Sequence, residues 1–215
     1  MKRIFLLVLS LFFIAYACND KKEKPAKTNN GGNTISNAAR IGNLKKLVQS
    51  GDLIFRNGND EVSRAARSFN RKDTSYSHCG IIFIENDSPF VYHALGGTYN
   101  PSQKLMRQPI EAFADPAENN SIGIYRYHLT GKEMIKLAEV VHDYHRSGLK
   151  FDLFFNFQSD NVMYCSEFVF KSLNKAVDGR YTSYIRTDTM PYGVTTDDLY
   201  LNPDSKLVKR EVFQY

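Results

Sequence analysis

The feature that most narrows the fold of this chain is a pair of apolar runs, "CGIIFIE" and "PFVYHAL", with the residues Glu85-Asn86-Asp87-Ser88 at their junction. Both runs are rich in β-branched and aromatic residues and the junction is a strong turn former, so the segment predicts an antiparallel hairpin. A hairpin fixes what its side chains can touch. Successive residues on a strand face opposite ways, so His78 and Cys79 diverge although they are adjacent in the chain. Cys79 shares its face with Ile81 and Phe83 and reads as a small buried packing residue. His78 lies on the other face with Gly80, Ile82 and Ile84. If the loop is even-numbered, pairing centred on Glu85 and Asn86 brings His93 opposite His78, or one diagonal step away, on the same face. An odd loop would turn His93 over.

The other elements follow from periodicity. "SNAARIGNLKKLVQSG" places Ile41, Leu44, Leu47 and Val48 on one helical face, with Gly51 where a terminating glycine is expected. A short strand from Asp52 to Phe55 follows. In "DEVSRAARSFN", Val62, Ala65, Ala66 and Phe69 fit a second short helix. "IGIYRYH" predicts another strand, and Thr130 with Glu133 forms a capping box that opens an amphipathic helix to about Arg146. A loop carrying Phe151, Phe154, Phe155 and Phe157 leads to "NVMYCSEFVFKSLNK", where Cys165, Val169 and Leu173 share a helical face. Four phenylalanines in one loop point first to core, with an acyl-binding groove as the alternative. The tail "KLVKREVFQY" alternates like an edge strand.

Cys165 lies at the predicted loop-to-helix junction, where the first helical turn offers partial positive charge and free N–H groups. That setting favours a thiolate, and the backbone N–H of Cys165 could help hold an oxyanion. Cys165, His78 and His93 together contain the parts of a thiol triad: nucleophile, base and a group that orients the base. The same three side chains could instead ligate zinc, although no close Cys-x-x-Cys or His-x-x-x-His pair accompanies them. His128, His142 and His145 read as solvated or packing residues. Glu167, two residues beyond Cys165, turns away from it and reads as a first-turn charge, and Asp52 as a turn or strand-start residue.

The N-terminus has a different character. Lys2 and Arg3 precede an apolar run from Ile4 to Ala17, too short to span a bilayer but suited to a secretory signal over residues 1–17. Cleavage before Cys18 fits a lipoprotein signal, so the expectation is a chain lipid-anchored at Cys18 and exported to the bacterial cell envelope. A flexible tether, 18–35, then leads to one folded domain, 36–215. Much of the formal charge of +5 sits in the signal and tether, which leaves the domain near neutral and without the basic stripe that nucleic acid would require. With Cys18 in the anchor, Cys79 and Cys165 are the only cysteines left, which excludes a disulfide-dense scaffold.

Taken in order, "GDLIF", "YSHCGIIF", "VYHALGG", "KFDLFF" and "YCSEFVF" resemble the YiiX-type members of the circularly permuted papain-like superfamily. That group is related to NlpC-type cell-wall hydrolases and to lecithin retinol acyltransferase. The resemblance implies an α+β fold, a small antiparallel sheet packed against helices, with the cysteine-bearing helix against the sheet edge. It also implies a cysteine hydrolase with nucleophile Cys165, base His78 and orienting residue His93, and no cofactor or metal. The implied substrate is an amide bond in cell-wall peptide or in an acyl-amino acid. Acyl transfer, or a retired site used for binding, are the alternatives.

Overall fold

A computed structural model describes residues 35–214. The expected signal peptide, Cys18 and almost all of the tether lie outside the described residues.

The first helix, α1 (Asn37–Leu47), is opened by Ser36, whose hydroxyl accepts the Ala39 N–H at 3.2 Å. It buries Ile41 and Leu44, while Leu47 is largely exposed. Gly51 does not end this helix as expected. The backbone is already extended at Val48, and Gly51, with φ of +87°, sits in the turn that enters the first strand.

Eight strands follow in chain order: β1 (Leu53–Gly58), β2 (His78–Glu85), β3 (Ser88–His93), β4 (Met106–Pro109), β5 (Asn119–Tyr127), β6 (Lys150–Phe151), β7 (Val162–Met163) and β8 (Ser205–Val212). Six of them form an antiparallel sheet in the order β4-β3-β2-β1-β5-β8, and β6 pairs with β7 in parallel. The interspersed helices are α2 (Glu61–Ser68), α3 (Ile110–Phe113), α4 (Gly131–Ser147) and α5 (Cys165–Ala176).

The sheet is buried on both faces, which is why β2 reads as an almost continuous apolar run. On one side Leu53, Phe55, Cys79, Ile81 and Phe83 meet Leu137 and Val141 of α4 and Phe168, Val169 and Leu173 of α5. On the other, Ile54, Ile82, Val91, Ile122 and Ile124 meet Ile41 and Leu44 of α1 and Ile110 and Phe113 of α3. β8 closes one edge with most of its side chains exposed or half-exposed, as its alternating sequence predicts. The capping box at Thr130 forms, and Gly148 in the left-handed region (φ +69°) ends α4.

One expectation about α5 is corrected. The helix packs on the sheet face over β2 and β3, not against an edge, because Phe168, Val169 and Leu173 need both flanks covered. β4 and α3, four residues each, are too short to leave a periodic signal in the sequence.

Candidate active site

The β2–β3 hairpin turns through two residues, Asn86 (φ +47°) and Asp87 (φ +62°). Two successive left-handed residues match the twist of a tight hairpin and set the register Ile81↔Tyr92 through Glu85↔Ser88. Continued by one step, that register puts His93 across from Gly80, diagonal to His78. The missing side chain at Gly80 makes room: a Cβ there would lie 2.7 Å from Val91 Cγ1 and 3.1 Å from His93 Cβ. His78 Nε2 and His93 Nδ1 are 2.8 Å apart, a hydrogen bond between two buried rings.

Phe113 holds this pair. It stacks on His78 at 5.7 Å and meets the His93 ring edge-on at 5.1 Å. No sequence signal pointed to it, since α3 is a single turn. Burial, then the charge of Arg56, pushes His93 down to about 3, with the Gln108 side chain acting in the opposite sense. His78 is pushed well below its ordinary value by burial, by Arg56 and by His93. Both imidazoles are therefore neutral near pH 7. The bond to His93 occupies Nε2 of His78, so Nδ1 is the nitrogen left to take a proton.

Cys165 is the first residue of α5, and the start of that helix is pinned from two sides. The Ser166 hydroxyl donates to Val194 O at 2.9 Å, and the Tyr164 N–H donates to the Glu167 carboxylate at 3.2 Å. Glu167 is fully buried and pairs with Lys171 at 2.8 Å. Its own burial raises its carboxyl to about 7.

The Cys165 thiol is pulled below its ordinary range first by a hydrogen bond from the Cys79 side chain. Burial opposes this, while the backbone N–H groups of Ser166, Cys79 and Cys165 support it. Cys79 itself is fully buried and held protonated by that burial and by Cys165. Cys79 fills the core, as its strand face predicts, and lies next to the second thiol. Both cysteines are free. Among the described residues no hydrogen bond joins Cys165 to His78, and catalytic bonds often close only when substrate is bound.

A cleft of about 350 Å³ opens at the end of the sheet, where β1 stops and β2 begins. His78, Cys165 and Arg56 all line it. Its apolar lining comes from Val62 and Ala66 of α2 together with Phe151, Leu153 and Phe155. The apolar face of α2 is real, but the helix buries no residue, so that face looks into the cleft rather than the core. Of the four loop phenylalanines, Phe151 and Phe155 line the cleft, Phe154 is almost fully exposed, and Phe157 packs on Phe170 elsewhere. A shallower depression of about 800 Å³ beside Lys136, Phe157 and Asp178 holds none of the three candidate residues. His142 and His145 pack against Tyr92, and His128 is exposed, all away from the cleft. Asp52 is a buried strand-start residue that anchors Arg126 at 2.6 Å.

Residues 47–208 match the model of the permuted papain-like amidase enzymes of the YaeF/YiiX, C92 family. The chain belongs to this family. It is 29% identical over 134 residues to the uncharacterized protein YiiX of Escherichia coli K12, covering 61% of this chain and 60% of that protein. It also resembles the crystal structure of metalloprotein YiiX from Escherichia coli O157:H7, with a TM-score of 0.60 at 22% identity over 77% of this chain and 99% of that one. That second likeness speaks to the fold, which is permuted papain-like here too. Among the described residues of this family member, no three His, Cys, Asp or Glu side chains are grouped so as to hold a metal ion. Membership supports a cysteine hydrolase of the amidase kind.

Proposed function

We propose that this protein is a cell-envelope cysteine amidase that cleaves an amide bond in cell-wall peptide or in an acyl-amino acid. Cys165 is the nucleophile, His78 the base and His93 the group that fixes the tautomer of His78. The observation that carries the reading is the 2.8 Å His78–His93 bond, which leaves one nitrogen of His78 for the cleft that Cys165 also lines.

In the reaction, His78 Nδ1 takes the Cys165 proton as Sγ attacks the carbonyl carbon. The Cys165 N–H, a first-turn donor, helps hold the oxyanion as negative charge passes from sulfur to oxygen. The imidazolium then gives its proton to the leaving amine, and water activated by neutral His78 releases the acyl group from sulfur. His93 accepts from His78 Nε2–H throughout, so the base keeps the required nitrogen free.

Incubation with purified muropeptides and with N-acyl amino acids, followed by mass spectrometry, tests the proposal. Release of a product by the wild type and not by Cys165→Ala is expected. Equal release by both proteins, or none from either substrate class, contradicts it. The envelope part of the reading rests on the N-terminal sequence: an alkyne fatty acid should label the wild type and not Cys18→Ser.

A further inference from the structure

The side chain that most needs explaining is Arg56. It is the Cα partner of His78 across the β1–β2 ladder, so both side chains rise from the same face of the sheet. Its guanidinium lies 5.0 Å from the centre of the Phe113 ring that also stacks on His78. It is partly buried and lines the cleft. Yet among the described residues it makes no ion pair and no side-chain hydrogen bond, and its Nε is buried without a partner.

Every other partly buried arginine among the described residues is held. Arg40 meets Glu211 at 2.9 Å and Arg126 meets Asp52 at 2.6 Å. Arg67 bonds Asn57 and the Gly58 carbonyl, and Arg71 bonds Asp198 and Thr195. The acids Glu118 and Asp60 favour the Arg56 charge through space but form no ion pair or hydrogen bond with it. Asp60 spends its oxygens on the Ser63 N–H and hydroxyl at 2.9 and 2.7 Å, and Glu118 is exposed at the rim. A cation taken out of water without a partner is costly, and nearby neutral histidines do not offset that cost.

We propose that Arg56 is the specificity-determining residue of the cleft and binds a free carboxylate on the substrate. It rests on the amidase reading above and sharpens its substrate class: an amide whose amino-acid part carries an ionised carboxyl group. The guanidinium fork matches a carboxylate bidentately, and the apolar wall of α2, Leu153 and Phe155 receives the other end of the molecule. N-acyl amino acids and peptide stems both carry such a group.

Calorimetric binding to the Cys165→Ala protein tests this without turnover. The probes are N-decanoylglycine, acetyl-alanyl-alanine, and the neutral primary amide of each. At least one carboxylate form should bind roughly tenfold or more tighter than its amide, and which one does identifies the source of the carboxylate. Adding Arg56→Met should abolish that preference and leave amide binding unchanged, without lowering the melting temperature, since an unpaired charge is removed. Arg56→Lys, which keeps the charge but not the fork, should retain only part of the preference, and it carries the test if the Met variant fails to fold. Carboxylates and amides that bind alike, carboxylates that do not bind, or a preference that survives Arg56→Met would overturn the proposal. Arg56-dependent binding without turnover by wild type would count against the amidase reading instead. Turnover without carboxylate preference would count against Arg56 alone.

Discussion

At the scale of residues, Cys79 and Cys165 are chemically alike and electrostatically opposite. Cys79 is enclosed by the core and keeps its proton, whereas Cys165 receives that S–H and three backbone N–H groups. Burial alone would raise both thiols, so the direction at Cys165 is decided by its donors. Cys79→Ala should therefore slow alkylation of Cys165 at pH 7 by roughly tenfold, and Cys79→Ser, which restores a donor, should recover much of the loss. Unchanged rates, followed by mass spectrometry of the Cys165 peptide, would contradict this. Strand alternation correctly separated His78 from Cys79 in the sequence. It could not reveal the Cys79–Cys165 contact, because that depends on where α5 crosses β2. Arg56 and Phe113 were equally illegible: each matters through spatial neighbours brought by other elements.

At the scale of elements, the hairpin was the most legible part of the chain, since its turn residues and apolar runs agree. The close approach of His78 and His93 across it depends on a glycine. Gly80→Ala would push a methyl group to within 2.7 Å of Val91 Cγ1 and 2.8 Å of Tyr92 O. Denaturant unfolding should show a loss of about 1–3 kcal/mol, with weaker labelling of Cys165 as His93 is displaced from His78. Gly42 makes a control, because nothing lies within 4 Å of a Cβ built there, and Gly42→Ala within α1 should stabilise by about 0.5–1 kcal/mol. The end of α1 was misplaced because Gly51 has the left-handed backbone of a helix terminator but serves the following turn. The apolar stripe of α2 was read correctly as a stripe, and only the tertiary arrangement could say that it faces a cleft.

At the scale of the whole molecule, the sheet covers both faces with helices and leaves its chemistry to one end, where β1, β2, α2, α5 and the loop before β7 converge. The order of motifs in the sequence carried the family, because β2, β3 and α5 bring "YSHCGIIF", "VYHALGG" and "YCSEFVF" to one sheet and one helix. The cleft was not legible, since its walls come from segments far apart in the chain. The central claim is that Cys165 is an activated thiol served by a neutral His78. The pH dependence of Cys165 alkylation by iodoacetamide, read by peptide mass spectrometry, tests it most directly. The account predicts labelling at Cys165 rather than Cys79, half-maximal below the ordinary thiol value of 9.0, and lost in Cys165→Ala. Labelling that rises only at or above that value, or that falls on Cys79 instead, would contradict it.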